Sequence, residues 1–490
     1  MCFSNFFRFF SESHISCIMQ TIILKEKLTI NHSRSLTSGK ISSQLLFLAI
    51  PLLMGNIFQQ FYNVVAAIIV GRYVGEEAFA AIGVGGTVMN LFIFILMGCC
   101  TGVSIILASL FGKGDYHSLR KECFLAVVFG AGFTLVVSTA SVFFLPLLLE
   151  SIHTPPEIFG YTQSYLNIIL GGLLATFFYN LCAAALRAVG NTKYALVFLV
   201  IAVILNAALT FVLVAGFGCG IAGAAWATVF SQGLSAILCM GYIVKKLPFL
   251  VPTREDMRYD GLLLKKTIQF ASLSAMHQSS LYIGKLLVQG AVNLLGTAAI
   301  AAYTATGRIE GISLAFGESG SESISVFVAQ NTGAGNRKRA LKGFMEGVSS
   351  LIVLGVFMSF TLYATARPCV TVFVGAGQTS AIAEGVSYMQ ILSFFYVLSY
   401  IGSSFVGFFR GSGRINIPLI GTTLHISLRV ILSYWLAPEM GLKAVGLATG
   451  IGWIAIVIFQ LTVFFLGRRR EEKRDPFTPQ GQPEVSSEAV

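Results

Sequence analysis

The chain has 490 residues, of which 55% are hydrophobic and only 11% charged, with a mean hydropathy of +0.78. Soluble domains carry roughly 25% charged residues, so this composition excludes a soluble protein and points to an integral membrane protein. The formal net charge is +11, and where those charges fall decides between a nucleic-acid partner and a membrane topology signal.

Apolar runs long enough to cross roughly 30 Å of hydrocarbon as helix recur twelve times. They cover approximately 41–70, 79–110, 121–149, 158–186, 193–215 and 220–244, then 266–293, 297–331, 343–374, 380–409, 415–437 and 441–466. A strand barrel fits poorly, because its segments are about 10 residues long and alternate in polarity. The predicted fold class is therefore all-α, with 12 transmembrane helices.

Connections after the even-numbered helices carry 17 Lys or Arg, whereas those after the odd-numbered ones carry only Arg72, Arg367 and Lys443. The two tails carry five each, on the richer side. By the positive-inside rule that side is cytoplasmic, so both termini and the central loop face the cytoplasm of a multi-pass cell-membrane (inner or plasma membrane) protein. The basic balance is topology, and no nucleic-acid partner is implied.

In chain order, residues 1–40 read as a cytoplasmic tail. Arg8, Glu12 and His14 interrupt MCFSNFFRFFSESHISCIMQ before any apolar core reaches signal-peptide length, so a cleaved signal peptide is not expected, and Met19 is an alternative start. A first six-helix bundle spans 41–244 and a charged linker 245–265 (KKLPFLVPTREDMRYDGLLLK). A second bundle spans 266–467, and a polar, Pro-containing tail covers 468–490.

The two bundles resemble each other. Gly75, Ala108, Gly112, Gly114, Gly220 and Thr228 recur 221 residues later as Gly296, Ala329, Gly333, Gly335, Gly441 and Thr449, while Arg187 and Gly190 recur at a spacing of 223 as Arg410 and Gly413. An even number of spans per half makes the repeats parallel, related by an axis along the membrane normal, with a cleft between them.

The first helix carries Gln59, Gln60, Tyr62 and Asn63 in the run QQFYN. Amides at membrane depth need a cavity or a neighbouring helix; lining of a substrate cavity and interhelical bonding both satisfy that need. The runs IPLLMGNIFQQFYNVVAAIIVGRYVG, LFGKGD, ALRAVGNTKYAL and LNAALTFVLVAGFGCGIAGAAWATVFSQ resemble the multidrug and toxic compound extrusion (MATE) family, as do AYTATGRIE, VAQNTGAGN and FFRGSGR in the second half. The resemblance covers roughly 41–467. It implies a divergent bacterial member with two six-helix bundles forming a V, and export of organic solutes driven by inward Na+ or H+.

The chain also departs from that pattern. Many bacterial relatives have Asp where this sequence has Ala66, and pair Asn with Asp where it has Asn206 and Thr210. The amino-terminal bundle is thus expected to lack an interior carboxylate. Charge concentrates in the second bundle instead, at Lys285, Arg308, Glu310, Glu318, Glu322, Glu346 and Arg429. Because a charge at mid-membrane is costly, its default reading is function. Glu310 lies fourteen residues past Gly296, about 21 Å along a helix. It reads either as the cation-coupling carboxylate, binding Na+ through oxygen or holding a proton, or as the partner of Lys285 in a static salt bridge.

Arg308, Glu318 and Glu322 share a helix face from which Glu310 points away. Arg308 is expected to orient glutamates, to contact anionic groups of a substrate or, if Gly317 and Gly320 bend the helix, to pair with Glu322; Arg308, Lys285, Glu318 and Glu322 join Glu310 as cation-coupling candidates. Glu318 and Glu322 are candidates for a water-accessible vestibule. Gln278, Tyr282 and Gln289 share one face of the seventh helix and, with Asn206 and the first-helix amides, are the expected cavity lining. Such a lining suits flat organic cations.

The loops GKGD and GAGN read as glycine helix ends rather than phosphate loops, and Arg187 and Arg410 as cytoplasmic anchors. The nine Cys are scattered and the six His have no metal-ligand spacing; His277 is the one histidine singled out for function. No catalytic constellation, metal site or cofactor is implied beyond the coupling ion, Na+ or H+. The expected activity is antiport of a small organic molecule across the bilayer by a monomer. A flippase for a lipid-linked precursor and a non-transporting receptor or scaffold are the alternatives.

Overall fold

In hydrocarbon a backbone can satisfy its own N–H and C=O groups only as helix or closed barrel, and this chain takes the helical solution. The computed structural model describes residues 35–152, 154–375 and 377–474, without the side chains of 60–65 and 470–474. No strand occurs among the described residues.

The amino-terminal half contains α1 (Ile41–Tyr73), α2 (Glu76–Lys113), α3 (Tyr116–Ser151), α4 (Pro156–Gly171), α5 (Leu173–Ala188), α6 (Thr192–Thr210, continued by a π-helical turn, Phe211–Gly216) and α7 (Gly220–Lys246). The carboxy-terminal half repeats them as α8 (Gly261–Asn293), α9 (Thr297–Gly333), α10 (Arg337–Val374), α11 (Thr379–Ser393), α12 (Tyr396–Gly411), α13 (Asn416–Met440) and α14 (Leu442–Arg474). Within each half one expected span is broken. α4 and α5 meet at 48°, and α11 and α12 at 54°.

Among the described residues eight helices are long and apolar enough to cross a membrane, or ten if each bent pair is one crossing. The two others of membrane length, α8 and α9, have 33 and 37 residues. They fall short on apolarity because they carry the amides, serines and charges singled out above. Counted with them, the architecture is twelve crossings in two parallel repeats.

The repeat is written into the backbone. Left-handed glycines recur in register: Gly75 and Gly296 (φ 121° and 91°), Gly114 and Gly335 (75° and 78°), Gly190 and Gly413 (77° and 78°), and Gly220 and Gly441 (57° and 61°). Only glycine adopts these angles without penalty, so the same turns close the same helices in both halves.

The charged linker is docked rather than loose. Asp256 is completely buried, with His117 Nδ1 and Arg120 Nε each 2.6 Å from its carboxylate, and it accepts hydrogen bonds from the Thr253 N–H and hydroxyl at 3.0 and 2.6 Å. Burial opposes the charge, but the Thr253 bonds and the Arg120 guanidinium outweigh it and hold the carboxyl well below the usual range. Phe249 stacks on Phe111 at 5.7 Å, fixing the linker to the α2–α3 turn.

Candidate functional site

The halves meet where the loops are most basic. α2 and α9 cross there in a reciprocal contact. A Cβ on Gly112 would collide with the carbonyl oxygen of Gln330, and one on Gly333 with that of Ser109. Both pairs are 221 apart, so the repeat axis passes through this crossing. Around it Gln330, completely buried, donates to the Ala188 carbonyl (2.7 Å) and accepts from the Leu36 N–H (3.0 Å). Ser323 donates to the Leu45 carbonyl at 2.8 Å and Asn56 to Ser319 at 3.1 Å, which joins α9 to α1.

One ion pair crosses the same seam. Arg187 Nε of α5 lies 2.7 Å from Glu322 Oε1 of α9, with the side chains 18% and 30% exposed. The angle does not suit a hydrogen bond, so the contact is electrostatic. This corrects two expectations. Glu322 is not the partner of Arg308, because α9 runs unbroken from Thr297 to Gly333 and keeps the two apart. Nor is Arg187 a surface anchor: α5 continues two residues past the expected end at 186 and turns Arg187 inward.

Away from the crossing the halves stay in contact along α2 and α8, where a Cβ on Gly98 would meet the Ala275 main chain, while α9 turns exposed residues toward the amino-terminal half. At 100° per residue Arg308 falls within about 60° of Ser319, Glu322 and Ser323 on α9, so it points toward the amino-terminal half. Glu322 is in contact with that half, whereas Glu318, Ile312, Arg308 and Thr304 above it are exposed. They line a cleft that widens away from the basic end. Lys285 of α8 is exposed on the side that also bears Ser274, Gln278 and Tyr282.

Glu310 points the other way, into the carboxy-terminal half. Tyr388 of α11 donates to its Oε1 at 3.3 Å. The Tyr388 ring meets Tyr303 edge-on at 5.8 Å, and Arg429 of α13 donates to the Tyr303 hydroxyl at 3.3 Å. Tyr303, Tyr388, Tyr396 and Tyr400 are all buried, and Tyr400 donates to the Ser313 carbonyl at 2.8 Å. The expected Glu310–Lys285 salt bridge does not form: among the described residues Glu310 is in no ion pair, although Arg429 and Lys285 are within electrostatic reach. A single carboxylate bound at one oxygen by a phenol, beside buried tyrosines, has its other oxygen without a hydrogen-bond partner among the described residues.

A second buried group lies nearer the seam. Arg410, the repeat counterpart of Arg187, is buried rather than a surface anchor, and its Nη2 lies 2.9 Å from His277 Nδ1. A guanidinium only donates, so His277 Nδ1 accepts and the ring proton sits on Nε2, which donates to Thr422 Oγ1 at 2.9 Å. His277 is thereby a neutral strut between α8, α12 and α13.

The expected cavity-lining residues divide. Tyr282 donates to the Thr87 carbonyl at 2.8 Å and stacks on Phe94 at 5.3 Å, bridging α8 to α2. Gln289 donates to Asn293 at 2.9 Å, Gln278 and Gln59 are half-buried, and Gln60, Tyr62 and Asn63 lie outside the described side chains. Asn206 is buried and donates to Thr228 at 3.2 Å, beside a Thr210 hydroxyl without a partner among the described residues. The amino-terminal half is not free of carboxylates after all. Glu122, on the second turn of α3, is completely buried and accepts from Thr267 of α8 at 2.8 Å, another bond across the seam. Position 122 falls inside the span 121–149, one residue from its edge, where an acid reads as a boundary charge.

The MatE family profile matches residues 51–212 and 274–435, one match in each half. Among curated relatives, the chain is 27% identical over 431 residues to "Probable multidrug resistance protein YpnP" of Bacillus subtilis, covering 85% of this chain and 93% of the relative. It is 25% identical over 453 residues to "Probable multidrug resistance protein NorM" of Thermotoga maritima, covering 89% and 94%. A solved structure described as "Outward-facing conformation of a multidrug resistance MATE family transporter of the MOP superfamily" superposes with a TM-score of 0.83 at 20% identity, over 90% of this chain and 98% of that one.

Proposed function

The chain belongs to the MatE family, and from that premise we propose that it is a cell-membrane antiporter that exports drug-like organic molecules in exchange for Na+ or H+ by alternating access. The names of its relatives support the cargo class. The observation that carries the exchange reading is Glu310, a carboxylate at membrane depth bound by Tyr388 and free of any ion pair among the described residues. Retaining such a charge is costly unless it has a task.

The basic end is taken as cytoplasmic, with both termini there, so the α2–α9 crossing closes this state to the cytoplasm. Cargo leaves through the cleft and the cation reaches Glu310. Cation binding neutralises Glu310, relaxes the Glu310–Tyr388–Tyr303–Arg429 chain that joins α9, α11 and α13, and lets the halves rock about the α2–α9 crossing. Opening inward then breaks Arg187–Glu322, Gln330–Ala188 and Glu122–Thr267, all of which cross the seam. Both walls of the cleft come from one chain, so the monomer is the transport unit, and it moves its cargo chemically unchanged.

The test is reconstitution in liposomes, with organic dyes followed under Na+ and pH gradients imposed separately. Dye accumulation driven by one gradient and abolished by its collapse supports antiport and names the ion. Dye movement indifferent to both gradients refutes it.

A further inference from the structure

Glu310, Glu318 and Glu322 differ from Arg308 in having groups of opposite charge beside them. Each carboxylate has protein cations nearby. Glu322 has Arg187 at 2.7 Å, Glu310 has Arg429 and Lys285 within electrostatic reach, and Glu318 has Arg410 and Lys285. Arg308 has no ion pair or hydrogen bond among the described residues, and the run 60–65 across the cleft, QFYNVV, contains no acid. Yet Arg308 is exposed on the cleft-facing side of α9, eleven residues below its start, about 16 Å along the helix. Lys285 is exposed eight residues from the α8 end of the same connection, about 12 Å along its helix. An Arg inside a membrane-spanning helix, without a counter-ion among the described residues, is suited to receive one from elsewhere.

Resting on the exporter reading, we propose that the cargo carries an acidic group, a carboxylate or phosphate, received by the Arg308 guanidinium with Lys285 as second cation. The guanidinium fork matches such a group in two-point geometry, and the aromatic and amide wall of Tyr282 and Gln278 takes the apolar body. The cargo class is therefore an amphiphilic organic anion rather than a simple organic cation. A soluble acid and an acidic lipid headgroup share this chemistry.

The experiment uses two dyes with the same ring system and opposite charge, fluorescein and rhodamine 6G, titrated against the purified full chain in detergent with anisotropy as readout. Fluorescein binds; Arg308→Gln weakens it at least about tenfold and Lys285→Gln about threefold or more, while rhodamine 6G is not weakened by either. Arg308→Lys restores part of the loss and keeps the test decisive if the glutamine variant fails to fold. Fluorescein affinity unchanged by Arg308→Gln, rhodamine 6G bound in preference, or neither dye bound overturns the proposal. In phosphatidylcholine nanodiscs, displacement of fluorescein by added phosphatidate identifies a lipid acid, and displacement by soluble benzoate or phenyl phosphate a soluble one; each supports the acidic-group assignment. Fluorescein that binds through Arg308 yet is never moved by any gradient refutes the exporter reading and leaves the anion site standing.

Discussion

Replacing Gly112 by alanine adds one methyl group at the α2–α9 crossing, where the obstacle is the Gln330 main-chain carbonyl rather than a side chain that can rotate away. Relief requires the two helices to separate, and overpacking of this kind costs about 1–3 kcal/mol. The crossing exists only while the basic end is closed, so the cost falls on that state and not on the opposite one. A penalty of that size shifts the equilibrium between them about 5- to 150-fold. Spin labels at Lys113→Cys and Lys338→Cys, exposed on the two halves beside the crossing, report it as a longer distance by double electron–electron resonance, in a background without other cysteines. Gly333→Ala, its repeat mate against Ser109, behaves the same way. Gly132→Ala, whose added methyl would meet nothing within 4 Å, leaves the distances alone. Unchanged distances in Gly112→Ala and Gly333→Ala, or an equal change in Gly132→Ala, refute the crossing as the closure point.

Arg187→Gln and Glu322→Gln each weaken the closed seam by roughly 1–3 kcal/mol, between the values for exposed and buried pairs, and the double variant loses less than their sum in a thermal double-mutant cycle. Asp256 has a depressed folded-state pKa, so its contribution is complete above the usual carboxylate range of about 4 and is lost only as pH falls through the lower folded value. Proteolysis of the linker is therefore equal at pH 7.5 and 8.5 for wild type and faster at both for Asp256→Asn. Tyr388→Phe removes one bond to a carboxylate, an interaction of about 1.5–3 kcal/mol at best geometry; gradient-driven dye accumulation falls about tenfold while dye binding is retained.

The repeat is readable in the sequence because its glycines are forced: a left-handed turn tolerates little else, so Gly75, Gly114, Gly190 and Gly220 return in the second half. The concentration of charge in α8 and α9 is equally visible against an apolar background. Partners are not. Arg187 and Arg410 stand out as a repeated pair but read as loop residues, since apolarity stops at 186 and 409 while the helices continue to Ala188 and Gly411. Glu122 escapes notice at the edge of its span for the same reason. Nothing in the sequence separates Tyr303 and Tyr388 from the rest of the 16 tyrosines, because only the bend between α11 and α12 brings α11 against α9. Glu310 is legible as an acid inside a membrane-spanning helix, but its bond to a phenol rather than to Lys285 is tertiary information.

The central claim is that Glu310 couples cation entry to export. It is tested most directly by comparing wild type with Glu310→Gln in liposomes, measuring both gradient-driven dye accumulation and gradient-free dye exchange. The account requires accumulation to vanish in Glu310→Gln while exchange continues. Accumulation that survives the substitution, under either a Na+ or a pH gradient, contradicts it.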